Sequence, residues 1–290
     1  MIVIYLMGGT GNQMFQYALY RSLRAQGKKV FIDDIYSQAD SSRKMILKDC
    51  FQTDYKKLNP IISRIINPFK TRNYPIDKIV RIIFGEKIYD DNRFNKNIFN
   101  LNKGQLIGWW QSEKYFSDSE VIRQLHEDFR LSSKLELSKQ YCELKQEIEN
   151  CNSVGIHIRR TDYVTKHIDV YGGICTYDYY LRGINYISQK DSNLKFYVFS
   201  DDKEYIREKY GNKENYVIIN HDKSMSDVEE MFLMSACKHH VMANSSYSWW
   251  AMWLNDNPDS INVAPDRWIN RNKEEYEKIY TDKMIRIKCD

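Results

Sequence analysis

Two arginines and a carboxylate follow a short apolar run in the segment Val154–Tyr163. Read as a strand, Val154, Ile156 and Ile158 share one face while His157 and Arg159 share the other, so the polar pair is delivered together at the carboxyl end. That end of an open α/β sheet is where ligands bind. Arg159 and Arg160 there suit a pyrophosphate, because guanidinium donors match phosphate oxygens in a bidentate fork and stay charged at any working pH. Asp162 adds a candidate base. A strand end carrying a structural Arg–Asp ion pair is the competing reading of the same residues.

Three further constellations carry chemistry. Asn244, Ser245 and Ser246 separate a strand expected over 239–243 from a helix over 247–254, and a helix start offers free N–H groups plus two hydroxyls to an anion. Plain N-capping by serine explains the same residues. Ser226 and Glu229 form a capping box that opens a helix whose buried stripe is expected to be Val228, Met231, Phe232 and Ser235. Glu230 falls off that stripe, where its carboxylate could accept the paired N–H donors of a guanine ring or simply face solvent. Gly9 and Gly11 begin a dinucleotide-type glycine loop after the first strand, but Met14 stands where close helix–strand packing needs a small residue. Nicotinamide binding, with Asp33 near the ribose-carboxylate spacing, is therefore a weak alternative. What remains is a loop whose N–H groups and Asn12 side chain can approach a phosphate or a sugar. No Walker A loop is present, since the one Gly-Lys pair, Gly27 and Lys28, lacks the upstream glycine.

The elements that must position these groups alternate along the chain. A first strand over 1–7, a helix from about 13 to 26 and a strand over 29–32 make a βαβ opening. From Asp40 to about Lys103 the pattern is irregular and mostly helical, broken at Asn59-Pro60 and Asn67-Pro68. Then come a strand over 153–158, a helix over 177–188, strands over 195–200 and 216–220, a helix over 227–237, the strand over 239–243, the helix over 247–254 and a strand over 261–264. The tryptophans at 249, 250 and 253 read as core. Two α/β halves joined between 131 and 152 account for this order.

Composition sets the bounds. The chain has 290 residues, 42% hydrophobic and 28% charged, as expected of a globular protein with room for two cores. No apolar run approaches the ~18 to 20 residues of a membrane span, and no signal peptide is read at the start. Six cysteines without C-x-x-C spacing argue against a zinc site and fit reduced thiols in the cytoplasm. The net charge of +4 is too small to argue for nucleic acid. Residues 56–103, however, hold eleven Lys or Arg against four Asp or Glu. Isoleucines recur there at helical spacing, so either core-facing helices with a basic solvated side, the favoured reading, or a peripheral membrane contact is expected.

Taken together, the segments Gly8–Ala18, Gly108–Phe116, His157–Tyr163, Phe199–Asp202 and Ala243–Trp250 make the chain resemble the bacterial α-1,2-fucosyltransferases of glycosyltransferase family 11 over almost its whole length. The resemblance implies an α/β, GT-B-like fold of two Rossmann-type domains facing a cleft. Residues 1–150 would form the acceptor-side domain with its helical insertion, and 151–290 the domain binding the GDP-sugar. It also implies GDP-β-L-fucose as donor, inversion at the anomeric carbon and the 2-hydroxyl of a terminal galactose as acceptor, in a surface polysaccharide of O-antigen type or an oligosaccharide. In the family and its α-1,6 relatives the arginine matching Arg159 meets the donor phosphates, the position of Glu230 faces guanine, and the Asn-Ser-Ser turn lies near the β-phosphate. Donor contacts are thus expected from Gly11, Asn12, His157, Arg159, Arg160, Asp202, Glu230, Asn244, Ser245 and Ser246. Thr10 and Thr161 depart from the usual Leu and Gly of the family pattern. Thr161 also occurs in the α-1,6 relatives, which leaves another linkage open.

Mechanistically, departure of GDP builds negative charge on the β-phosphate. No two aspartates are spaced i, i+2, so no D-x-D metal site is read, no cofactor is expected and the arginines would balance the charge instead. Asp162 is the first choice of general base, with Asp34 and Glu113 as alternatives. A non-catalytic sugar-nucleotide or glycan-binding protein is the competing class. A cytoplasmic location, with association to the inner face of the membrane through 56–103, completes the expectation.

Overall fold

The computed structural model describes residues 1–36, 45–68, 74–219, 224–270 and 273–289. The chain divides into two units, Met1–Leu135 and Glu136–Asp290. The division falls inside the expected 131–152 joint but ahead of a boundary at 150. The helix Lys139–Glu149 therefore belongs to the second unit, because it packs on the second unit's own strand and helix.

The first unit is built on a four-stranded parallel sheet. Its strands are β1 (Ile2–Tyr5), β2 (Val30–Asp33), β3 (Lys87–Tyr89) and β4 (Gly104–Ile107), in the order β2-β1-β4-β3. Helix α1 (Thr10–Ala25) links β1 to β2 and buries Met14, Phe15, Tyr17, Ala18 and Leu19. It starts at Thr10, three residues before the expected helix, and Gly27 at φ +76° ends it as only glycine does without strain. Two helices of the insertion, α2 (Pro60–Ile66) and α3 (Tyr74–Phe84), pack on the sheet through Ile66 and Val80, in one cluster with Val3, Tyr5, Met7 and Ile107. Pro60 sits at the first helical position and the Asn59 side chain caps it. Helix α4 (Ser119–Asp128), capped by Asp118, closes the unit.

The insertion does not turn all its isoleucines to the core, as core-facing helices with a basic solvated side would. Ile61, Ile65, Ile76, Ile79, Ile82 and Ile83 are exposed by 49 to 68%. On α3 the core-facing positions are Asp77, Val80 and Phe84, while Ile76, Ile79 and Ile83 follow at i, i+3, i+7 along a separate outward stripe. Strands β3 and β4 were not anticipated, and parts of the 40–103 stretch (40–44 and 69–73) lie outside the described residues.

In the second unit, α5 (Lys139–Glu149) leads into six parallel strands: β5 (Asn152–Ile158), β6 (Leu194–Ser200), β7 (Tyr216–Ile218), β8 (His239–Val241), β9 (Asn262–Pro265) and β10 (Met284–Ile287). Their order is β10-β9-β8-β5-β6-β7. The chain starts in the middle, builds out to β7, then crosses back beside β5 to build the other half, which is the doubly wound Rossmann order. The topological switch point lies between β5 and β8. Residue 220, the end of the strand expected over 216–220, lies outside the described residues.

Alternation on β5 is as read from the sequence. Val154, Ile156 and Ile158 enter a core with Tyr179, Tyr180, Ile184 and Ile187 of α6 (Tyr177–Ser188). Three further helices of eight or more residues are α7 (Lys203–Tyr210), α8 (Asp227–Ala236) and α9 (Ser246–Trp253), and a single turn spans Ile168–Tyr171. Trp249, Trp250 and Trp253 are wholly buried, and the Trp249 indole N–H donates to Ile279 O at 2.8 Å. Among the described residues no helix is long and apolar enough to cross a membrane, and all six cysteines are unbridged.

Candidate functional site

Strand register sets the first contact. Ile158 of β5 lies opposite Ser200 of β6, so the residues that leave the two strand ends emerge side by side. Arg159 donates from Nε to Asp162 Oδ1 at 2.9 Å, its Nη2 lies 2.8 Å from the same oxygen, and its Nη1 lies 3.0 Å from Asp201 Oδ2. Arg160 donates from its backbone N to Asp201 Oδ1 at 2.9 Å and from Nε to Asp202 Oδ2 at 3.1 Å, while its guanidinium stacks 3.8 Å above the Tyr205 ring. The Thr161 hydroxyl also bonds to Asp201. Burial opposes the charge of Arg159, but Asp201 and Asp162 outweigh it and hold the guanidinium pKa above its ordinary value.

Tyr163 ties this loop across the switch point. Its hydroxyl donates to Asn244 O at 3.0 Å, its ring stacks on Tyr171 at 4.6 Å, and the Arg159 guanidinium lies 5.7 Å from its ring centre. Ser245 caps α9 through the N–H of Tyr247, and Ser246 is the first helical residue. Asn244 is turned inward. Its Nδ2 donates to Trp268 O at 3.0 Å and its Oδ1 accepts from the Cys175 thiol at 3.4 Å, so its amide shapes the turn and does not face outward as a donor-sugar contact would.

His157 is buried, its ring 5.3 Å from that of Tyr247. Its Nδ1 meets no hydrogen-bond partner among the described residues. Burial pushes its pKa down to about 3, opposed by the nearby Asp201 carboxylate, so the imidazole is neutral at physiological pH.

Glu230 is not a solvated residue, and the expected stripe on α8 is misplaced in part, since Phe232 and Ser235 are only half-buried. The helix packs on α5, α9, β5 and β6, so Glu229, Glu230, Leu233 and Met234 are buried along with Val228 and Met231. Both Glu230 carboxylate oxygens lie 3.4 Å from Lys203 Nζ, which also donates to Ile219 O at 3.1 Å. Asp202 is the N-cap of α7, accepting from Tyr205 N at 3.0 Å, and thereby joins Lys203 to the arginine cluster.

The structure thus gathers His157, Arg159, Arg160, Asp162, Asp202, Ser245 and Ser246 at the carboxyl ends of β5, β6 and β8, with Glu230 reached through Lys203. Gly11 and Asn12 belong to the first unit, at the equivalent switch point between β1 and β4. There Asn12 Oδ1 accepts from Gln111 Nε2 at 2.7 Å, and Gln16 accepts from Met7 N at 3.0 Å while donating to Gly108 O at 2.9 Å. The segments Gly8–Ala18 and Gly108–Phe116 are therefore one interlocked structure. Asp33 turns inward to Ser63 and Ile35 N, which leaves no outward carboxylate for the nicotinamide alternative. Asp34 pairs with Lys57 at 2.7 Å, and Glu113 opens a single 3-10 turn, Glu113–Tyr115.

Two residues were missed by the sequence reading. Asp201 orients both arginines and Lys203 pairs with Glu230. The available signal for Asp201 was an acidic pair ending the strand after β5, at the same end as Arg159.

The model of glycosyl transferase family 11 matches residues 1–288. The chain is 31% identical to the O-antigen biosynthesis glycosyltransferase WbnK of Escherichia coli, covering 97% of this chain and 99% of that protein. It is also 31% identical to an alpha-1,2-colitosyltransferase of Escherichia coli, over 99% of this chain and 98% of that one. Among solved structures, the fucosyltransferase NodZ from Bradyrhizobium is similar in fold, with a TM-score of 0.51 at 10% identity over 86% of this chain and 91% of that one. POFUT1 in complex with GDP-fucose aligns with a TM-score of 0.50 at 16% identity, over 90% of this chain and 96% of that one.

Proposed function

Because the chain belongs to glycosyl transferase family 11, and is a glycosyltransferase, we propose that it moves L-fucose from GDP-β-L-fucose, with inversion, to the 2-hydroxyl of a terminal galactose. The acceptor in this reading is a surface polysaccharide of O-antigen type, a class that the name of the first relative supports. The observation that carries the reading is the arginine cluster at the switch point of the second unit, held in place by Asp162, Asp201 and Asp202.

Arg159 would place its guanidinium on the departing β-phosphate, with Arg160 beside it and the start of α9 adding N–H groups. The carboxylates keep both guanidinium groups in place before the donor arrives, so little reorganisation accompanies leaving-group departure. Asp162 meets two nitrogens of Arg159 through one oxygen, the geometry of a positioning residue. Glu230 would meet guanine, with Lys203 holding its two oxygens in place.

Colitose, the 3-deoxy counterpart of L-fucose, is the second donor reading, favoured by the name of the second relative. Incubating the protein with GDP-L-fucose or GDP-colitose and β-galactosides, then measuring GDP release and the product linkage by NMR, tests both. Absence of turnover with every galactoside, or linkage to any hydroxyl but O2, would overturn the acceptor assignment.

A further inference from the structure

We propose that the outward faces of α2 and α3 dock the protein on an anionic lipid surface. Six of the exposed large apolar side chains among the described residues are isoleucines of these two helices, at positions 61, 65, 76, 79, 82 and 83. Their inward residues, Ile66 and Val80, already fill the core of the first unit. The outward isoleucines are thus a second apolar face, beyond what folding requires.

The charge beside that face selects its occupant. Arg64, Lys78 and Arg81 are exposed on the same helices, and Lys103, also exposed, reaches Ile82 O of α3. The one acidic residue of the two helices, Asp77, is half-buried. Beside α3 lies an open cavity of about 660 Å³, where Lys78, Arg81 and Lys103 face Ile82, Ile88 and Leu101, and where Glu86 pairs with Arg81. Cations bordering an apolar wall match a phosphate headgroup above its acyl chain. A second copy of the chain fits poorly, because a two-fold contact would bring two such regions together, each with eleven basic against four acidic residues. An acidic protein would meet the charge but leaves the isoleucine stripe unexplained.

Vesicle flotation of the full chain tests the proposal. Binding is expected to vesicles of phosphatidylcholine mixed with phosphatidylglycerol, to weaken with salt, and to be absent with phosphatidylcholine alone. Ile76→Ser, Ile79→Ser and Ile83→Ser combined should lower partitioning about tenfold or more. Arg64→Gln with Lys78→Gln should lower it by a similar factor. Neither variant should alter far-UV circular dichroism or transfer to a soluble acceptor. No flotation with anionic vesicles, equal flotation with neutral ones, or a serine variant that floats like the parent would each overturn the proposal. So would a dimer seen by light scattering that the serine variant abolishes, since the face would then belong to a second copy.

Discussion

Asp201 pairs with the Arg159 guanidinium and accepts from the backbone N–H of Arg160 and from Thr161, so one carboxylate fixes both arginines. Asp201→Asn preserves its shape and removes its charge, so GDP affinity should fall about tenfold or more, in line with ~1.5 to 3 kcal/mol for a charged hydrogen bond. Calorimetric titration of GDP giving an unchanged Kd would reject this role. Asp162→Asn separates two readings of its own: as the clamp on Arg159 it should lose GDP affinity in parallel with turnover, whereas a base would lose transfer and keep affinity. Arg159→Lys keeps charge without the fork and should impair both. His157 gives a pH prediction. Its imidazole titrates near 6.5 when unfolded and near 3 when folded. The unfolded state therefore binds the extra proton in that window, and stability falls as pH drops through it, by at most about 1.4 kcal/mol per pH unit from this group. His157→Gln should flatten the slope of unfolding free energy between those limits by about one proton. An unaltered slope would mean that the imidazole is solvated.

At the scale of the element, strong periodicity was legible and partnership was not. The helices at 177–188 and 227–236 and the strands β5 and β6 stand almost where alternation and capping signals put them. Strands β3 and β4 were invisible because three or four residues carry no usable period, and Lys87 and Gln105 break the apolar run. On α3 two apolar stripes compete, and only the tertiary fold decides that Val80 turns inward and Ile79 outward. Glu230 was misplaced for the converse reason, since a helix packed on several elements buries more than one stripe. The capping box of α8 offers a quantitative check. Ser226 Oγ accepts from Glu229 N at 3.3 Å, while Glu229 accepts from Ser226 N and Ser138 N, each at 2.7 Å. Ser226→Ala should cost about 1 kcal/mol in denaturant unfolding. Glu229→Ala should cost more, because it also strands the N–H that begins α5. Equal costs for the two would mean that the Ser138 contact adds nothing.

Taken whole, the molecule repeats one plan: two parallel sheets, each with its switch point where loops and helix starts converge. Family motifs sit at both points, which is why the fold class could be read from the sequence while the charge partners could not; partners such as Arg159 and Asp201 depend on strand order. The repetition also divides the labour. The second unit holds the cationic cluster, so we expect it to take the nucleotide, and the charge on the diphosphate to be met by side chains instead of a metal. Activity should then survive excess EDTA, and loss of turnover restored by magnesium or manganese would contradict that. Hydrogen exchange of the full chain with saturating GDP maps the same division directly. Amides of 157–163, 200–203 and 244–247 should gain protection, because the nucleotide would order the loops that the carboxylates now hold. The loop Gly8–Asn12 then reports on Gly11 and Asn12: protection there by GDP alone makes them donor contacts, whereas protection appearing only with added galactoside makes them part of the acceptor side. Protection at Gly8–Asn12 without any at 157–163 would place the nucleotide on the wrong unit and overturn the assignment of the arginine cluster.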